Sequence, residues 1–290
     1  MKYEMNRIFF LRPRIKINRT RKQHIKELQS ITHRLYLQTH RRPSSLTISL
    51  IQPLLWLILF GALFQNAPIQ LFTNNNIEYQ EFLNPGIIVF TAFSNAINAG
   101  LPIIFDREFG FLNRILISPI ENTKSLIYSC ITHSWVITSI QIIVISVFNS
   151  YQTKNLSTLS ELFVTLIINT FLIMSISSMS ICFALILPGH IEFIAITTLL
   201  VNLPTLFAST ALAPLSFMPY WLQILVCINP LTYAIEIIRE NTLNGLSSFN
   251  TEIISTIWFH IEVKDSVVIL IVINIISYLL INIVMKYKYD

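Results

Sequence analysis

Charge is what this sequence has least of: only 12% of its 290 residues are Asp, Glu, Lys or Arg, against 53% hydrophobic and a mean hydropathy of +0.61. So few charges cannot clothe a water-soluble globule, and a multi-span membrane protein is expected. Glycine numbers six and none is followed by lysine, so the phosphate cradle GxxxxGK[ST] of an ATPase is missing. Aspartate occurs only at Asp106, Asp265 and Asp290, too far apart to hold magnesium diphosphate as a membrane prenyltransferase must. A hydrolase elbow GxSxG and a zincin HExxH are also absent. The three cysteines, Cys130, Cys182 and Cys227, sit in apolar stretches with no CxxC or Cys/His spacing, which suggests neither a disulfide framework nor a zinc site. They read as small hydrophobes. The chain is therefore expected to be no enzyme and to bind no cofactor or metal of its own.

A helix needs roughly 20 apolar residues to cross a ~30 Å hydrocarbon layer. Six segments qualify: Leu46 to Phe64, Pro85 to Phe105, Ser125 to Phe148, Leu162 to Leu187, Phe193 to Leu212 and Ser266 to Met285. Residues 1–45 hold twelve Lys and Arg against two acids, Glu4 and Glu27. This basic leader is too long for the n-region of a cleavable signal, and it runs straight into a span, which favours charge-driven topology over nucleic-acid binding. The leader, the 106–124 connection and the C-terminal tail together carry seventeen of the twenty cationic side chains. Both termini are expected on the cytoplasmic or stromal side, with an even number of spans between them. The domains expected are a basic N-terminal segment, 1–45, and a membrane domain, 46–288.

Three segments stand out from this plain pattern. Residues 20–42 place Ile25, Leu28, Ile31 and Leu35 at helical spacing among basic residues, which predicts an amphipathic helix lying along the membrane surface as a lipid anchor or a docking element. The stretch FDREFGFLNRILISPI, placed on a helix, sorts Phe105, Phe109, Leu112 and Leu116 onto one stripe and Arg107, Gly110, Arg114 and Ser118 onto another. Its charges each cost ~2.5 to 3.5 kcal/mol at mid-bilayer, so the rod must lie flat at the inner surface. Phe111 falls near the arginines, where an exposed aromatic asks for a partner to cover it. Third, Pro214, Pro219 and Pro230 cut the apolar run 213–245 into pieces too short to cross, predicting two short helices in a re-entrant hairpin, with an Asn229 cap, Pro230 at the first helical position and Gly245 as the stop.

PGIIVFTAFSNAINAGLPIIFDREFGFLNRILISPI, residues 85–120, resembles a segment of the ABC-2 type permease family, the membrane halves of ATP-driven exporters, where a PGI, an (F/D)RE-G-L-R core and an S-P end recur. NPLTYAIEIIRE, 229–240, is similar to that family's N-P-L-x-Y-x-x-x-x-x-R signature. The resemblance covers about residues 20–288. It implies an all-α fold of six transmembrane helices with an N-terminal amphipathic connecting helix, a cytoplasmic coupling helix and an external re-entrant hairpin.

By that resemblance, Asp106, Arg107, Glu108, Gly110, Phe111, Arg114 and Pro119 belong to a coupling helix that docks on a separate nucleotide-binding ATPase subunit, which holds the ATP and Mg. Phe111 departs from the polar or small residue that many relatives carry there. Asn229, Pro230, Tyr233 and Arg239 belong to the re-entrant motif. In composition the chain looks like the plastid-encoded members from red algae, whose Ile- and Asn-rich, Gly-poor usage AT-rich codons produce. That implies a plastid membrane, with a bacterial inner membrane as the alternative.

The spans hold asparagines rather than ionisable relays, which argues against proton coupling. Asn95 and Asn98 are candidates for a translocation path, although Asn95, Asn98, Asn169, Asn202, Asn274 and Asn282 read first as glue between helices. His133, alone in the third span, reads as a hydrogen-bonded structural residue. The expectation is a permease subunit, paired with a second copy, that exports an amphipathic or lipid-linked substrate. The rival is a non-transporting membrane scaffold that recruits a soluble protein.

Overall fold

The structure is a computed structural model that describes residues 21–64, 79–111, 124–153, 158–186, 200–245, 251–255 and 260–289. Among these the helices are α1 (Arg21–His40), α2 (Pro43–Leu63), α3 (Tyr79–Ile97), α4 (Leu101–Glu108), α5 (Lys124–Thr153), α6 (Leu159–Ile186), α7 (200–207), α8 (Tyr220–Ile228), α9 (Pro230–Asn244) and α10 (Val263–Tyr289). Five segments are long and apolar enough to cross a membrane: Pro43–Leu63, Tyr79–Glu108, Lys124–Gln152, Leu159–Ile186 and Val263–Lys286. The count becomes six if α8 and the body of α9, which meet at 86°, are taken as one broken span. Asn229-Pro230 explains that bend: proline opens α9 with its fixed φ and no donor to lose, and the residue before it is held extended at φ −76°, ψ 121°. The span expected at Phe193 to Leu212 lies partly outside the described residues. Its described part is helical to Phe207 and then turns, so the helix ends five residues sooner than the apolar run does.

The segment from α3 to α4 is the hub, with 67% of its most apolar window buried inside the protein, against 11% for α2 and 17% for α10. Leu83, Ile87, Val89, Ala92 and Ala96 of α3 are fully buried against Ile142 and Ile145 of α5, Leu172 and Ile173 of α6 and Ala234 and Ile238 of α9. Where α3 meets the turn after α7 the backbones nearly touch: a Cβ on Gly86 would sit 2.5 Å from the carbonyl oxygen of Ala211. The hub is one span by length but not one helix, because a 3-10 turn, Asn98–Gly100, separates α3 from α4. Ser180 of α6 satisfies that turn, its Oγ donating to the carbonyl of Ile97 at 2.5 Å and accepting from the amide of Gly100 at 3.2 Å.

The fold is all-α but for one small antiparallel hairpin among the described residues, β1 (Glu252–Ser255) with β2 (His260–Glu262), pairing Ile254 with Ile261 and Ser255 with His260. Ile254 is buried on the α9 side of the core, and the amide of Val263 donates to Thr251 O at 3.1 Å, so the hairpin leads directly into α10. The strands are too short for an alternating pattern to show in the sequence.

Candidate functional site

Five of the expected coupling residues, Asp106, Arg107, Glu108, Gly110 and Phe111, lie in or beside a tight elbow. The α-helix ends at Glu108, Phe109 N donating to Phe105 O at 3.0 Å and Gly110 N to Arg107 O at 3.2 Å. Gly110 follows at φ +71°, the left-handed value that closes helices and that only glycine takes without strain. A single continuous rod over 105–118 is therefore corrected at Gly110, after which helical geometry resumes at Phe111. Leu112, Arg114, Leu116, Ser118 and Pro119 lie outside the described residues.

The elbow's charges are sorted by depth. Asp106 is buried and takes both arms of a guanidinium, Arg34 Nη2 to Oδ2 at 2.5 Å and Nη1 to Oδ1 at 3.3 Å. A forked arginine offsets the desolvation of a buried carboxylate better than a point charge can. The same guanidinium lies 4.8 Å from the centre of the Phe111 ring, within cation–π range, so the aromatic that asked for a cover has one inside the chain. Arg107 reaches the other way, Nη1 donating to Ala184 O at 3.1 Å in the last turn of α6, where a cation complements unsatisfied carbonyls. Glu108, Phe109 and Phe111 are exposed, Phe109 by 75%, with its ring stacked on Phe105.

Arg34 is the residue that sequence reasoning missed. It lies on α1, the second half of whose apolar stripe is turned onto the protein: Ile31 and Leu35 are buried with Leu126, Ile127, Cys130 and Ile131 of α5, whereas Ile25 is exposed. Thr39 Oγ1 and His133 Nε2 are 2.8 Å apart, and the Tyr36 and His133 rings lie 5.1 Å apart, which gives His133 the structural role expected of it. Burial there pushes the Tyr36 phenol up from its usual range. Lys26, Arg41 and Arg42 face outward. The spacing of 72 residues between Arg34 and Asp106 leaves no local signal of the pair in the sequence.

At the other end of the hub the second motif forms a staple. Asn229 Oδ1 accepts from Leu231 N at 3.0 Å as a helix cap, while its Nδ2 donates to Thr205 O at 2.9 Å and Ala208 O at 2.6 Å beyond α7. Tyr233 OH donates to Cys227 O at 2.5 Å, closing the α8–α9 corner. Arg239 is buried, pairs with Glu236 at 2.5 Å, donates to Thr210 O at 2.8 Å and Phe82 O at 3.3 Å, and stacks 3.8 Å over the Phe82 ring. The signature thus ties α8, α9, the turn after α7 and α3 into one unit.

The span asparagines divide. Asn95 donates to Gln141 Oε1, Asn202 accepts from Ser94 Oγ at 3.0 Å, and Asn274 donates to Phe171 O at 3.1 Å, each joining two helices. Asn98, Asn169 and Asn282 donate to carbonyls one turn back on their own segment. Asn95, Asn98 and Asn202 also line a cleft of about 110 Å³ between α2, α3 and α7.

Several membrane-crossing helices around a buried hub, with a charged elbow at one end and a sharply bent helix pair at the other, make this a multi-pass membrane protein built as a permease. A family model described as ABC-2 type transporter matches residues 26–243, and the chain belongs to that family. It is 45% identical over 262 residues to the transport permease ycf38 of Cyanophora paradoxa, covering 90% of each chain. The proteins of that name from Porphyra purpurea and Pyropia yezoensis are each 44% identical, over 263 and 269 residues, covering 90% and 91% of this chain and 89% and 90% of theirs.

Proposed function

We propose that this chain is the membrane subunit of an ATP-driven exporter, energised by a separate ATPase that docks on the elbow and carries an amphipathic or lipid-linked substrate through a pair of such chains. The observation that carries this reading is the elbow itself: a short charged segment fused to the hub span, braced from behind by Arg34 and Arg107, with Glu108, Phe109 and Phe111 left facing out. Membership of the ABC-2 family and the missing nucleotide cradle both support an outside source of energy. Association of the ATPases would push the elbow, tilt the hub and shift the path between inward and outward exposure. The basic leader favours both termini, and with them the elbow, on the stromal or cytoplasmic side. The algal relatives favour a plastid membrane.

The test is reconstitution of the chain with its ATPase in vesicles, measuring ATP-dependent substrate movement. Phe109→Ala and Arg114→Glu are expected to weaken ATPase binding about tenfold, in the range of a modest interface hot spot, with membrane insertion unchanged. Unchanged affinity in both variants removes the docking role from this segment. ATPase stimulation without movement of any substrate favours the scaffold instead.

A further inference from the structure

At the elbow end of the bundle, exposed faces of α5 and α10 meet in a polar ladder. Lys124 and Tyr128 stand one turn apart on α5, and Tyr278, Asn282 and Lys286 follow at one-turn intervals on α10. The phenols of Tyr128 and Tyr278 reach across to each other, their oxygens 3.1 Å apart, and the Asn282 amide donates to Tyr278 O at 2.9 Å. Lys124 lies close enough for its charge to act on the Tyr278 hydroxyl. The backbones of the two helices scarcely approach each other, so the phenols bridge a seam between them. Behind the bridge Ile127, Ile131, Ile281 and Met285 are buried in the cluster that also holds Ile31 and Leu35 of α1.

Depth and charge decide what covers this seam. Lys124 opens its span and Lys286 closes its own, which puts both ammonium groups at headgroup level; Tyr128 lies one turn and Tyr278 two turns deeper, where interfacial tyrosines sit. Neither lysine forms an ion pair among the described residues, and no acidic residue occurs in 124–132 or 278–286. The tyrosine pair shares one of its two hydroxyl protons and keeps the other to donate. Two cations and a hydroxyl donor call for a group rich in anionic oxygen. Deeper in the membrane the same faces turn apolar, with Trp135 on α5 and Ile271 and Ile275 on α10 exposed. An anion with acyl chains attached answers the whole face, whereas a soluble phosphate answers only its rim. A second copy apposed about a twofold axis would set lysine against lysine. We propose that the α5–α10 seam binds an anionic diacyl lipid, its phosphate or sulfonate head held by Lys124, Lys286 and the tyrosine bridge and its chains lying along Trp135 and Ile275. A lipid held there ties α5 to α10 over the cluster that seats α1.

The test uses the whole chain in phosphatidylcholine nanodiscs carrying a trace of phosphatidylglycerol with a diazirine near its head group, against a phosphatidylcholine probe of the same build. Labelling of the peptides containing Tyr128 and Tyr278 is expected to favour the phosphatidylglycerol probe about tenfold, the scale of two basic residues beside one anionic head, and to lose that preference as salt is added. Lys124→Gln combined with Lys286→Gln is expected to bring the two probes level. Tyr128→Phe combined with Tyr278→Phe keeps both rings and is expected to lower the preference about threefold. Each variant is checked for an unchanged elution volume and melting midpoint in phosphatidylcholine; the two lysines are exposed, so their variant decides the matter if the phenylalanine pair misfolds. Equal labelling by the two probes, or a preference unmoved in the lysine variant, overturns the proposal. So does a preference confined to peptides of α1 and its junction with α2, where Lys26, Arg41 and Arg42 face outward, because the basic surface as a whole then attracts the lipid. Disulfide trapping of Tyr278→Cys between two copies, with no phosphatidylglycerol labelling, overturns it too, since a second chain then fills the seam.

Discussion

Arg34→Ala is the perturbation that best isolates the elbow. The substitution strips a buried carboxylate of its forked partner and uncovers one face of Phe111. Breaking a fully buried pair from one side costs about 3–5 kcal/mol, and an exposed pair contributes about 0–1 kcal/mol. Here the carboxylate side chain is 8% exposed and the guanidinium 29%, so water reaches one partner and the expected loss is about 2 kcal/mol. Asp106→Asn should cost less, about 1 kcal/mol, because the amide still accepts one bond and Arg34 keeps its ring contact. The double variant should cost little more than Arg34→Ala alone, giving a coupling energy of at most about 1 kcal/mol. The assay is a double-mutant cycle by unfolding in mixed micelles, with amide exchange followed on peptides spanning 101–111, which should speed up in Arg34→Ala while those of α9 do not. Additive single effects, or an Arg34→Ala loss below about 0.5 kcal/mol, would refute the view that α1 braces the elbow.

Arg239→Ala leaves the Glu236 side chain, 13% exposed, without its cation and frees the carbonyls of Phe82 and Thr210, so a loss of about 3 kcal/mol is expected in the same unfolding assay. Gly86→Ala drives a Cβ into backbone atoms of Ala211, which cannot rotate away; about 1–3 kcal/mol of overpacking should appear as a lowered melting midpoint. Asn229→Ala removes a helix cap and two donors to the end of α7, so about 2 kcal/mol is expected, with faster amide exchange in α8 and α9 before the rest of the bundle.

How much of this was legible in the sequence depends on the range of the interaction. Apolar runs fix spans because a single helix satisfies its own backbone in lipid, so five of the six expected spans appear, four of them within a few residues of their predicted ends and the second starting earlier, at Tyr79 instead of Pro85. Asn229-Pro230 was legible for the same reason: capping and the proline corner are decided within three residues. The 105–118 periodicity misled because it is blind to one backbone angle; the helix ends at Glu108 and Gly110 turns left-handed, so neither stripe runs on as one continuous rod. Arg34 was invisible as a partner of Asp106 because nothing in a periodic pattern links residues 72 apart. The 3-10 turn at Asn98–Gly100 was also unreadable, since it is stabilised by Ser180 from another helix.

These long-range contacts give the hub its mechanical character. Arg34 and Arg107 hold its elbow end to α1 and to the last turn of α6, while Gly86 and Phe82 hold its other end to the turn after α7 and to Arg239 of α9. A continuous α-helix between those anchors would carry an axial push undiminished. The 3-10 turn interrupts it, and mid-helix turns of this kind mark places where a span bends. The interruption falls within one turn of Asn95, directly beside the polar cleft. A push at the elbow would therefore bend the hub at the cleft while the α8–α9 staple, packed against the far half of α3, keeps that half in place. Because packed anchors shift between discrete arrangements rather than deform smoothly, the bend is where a small displacement at the elbow would become a change in the cleft.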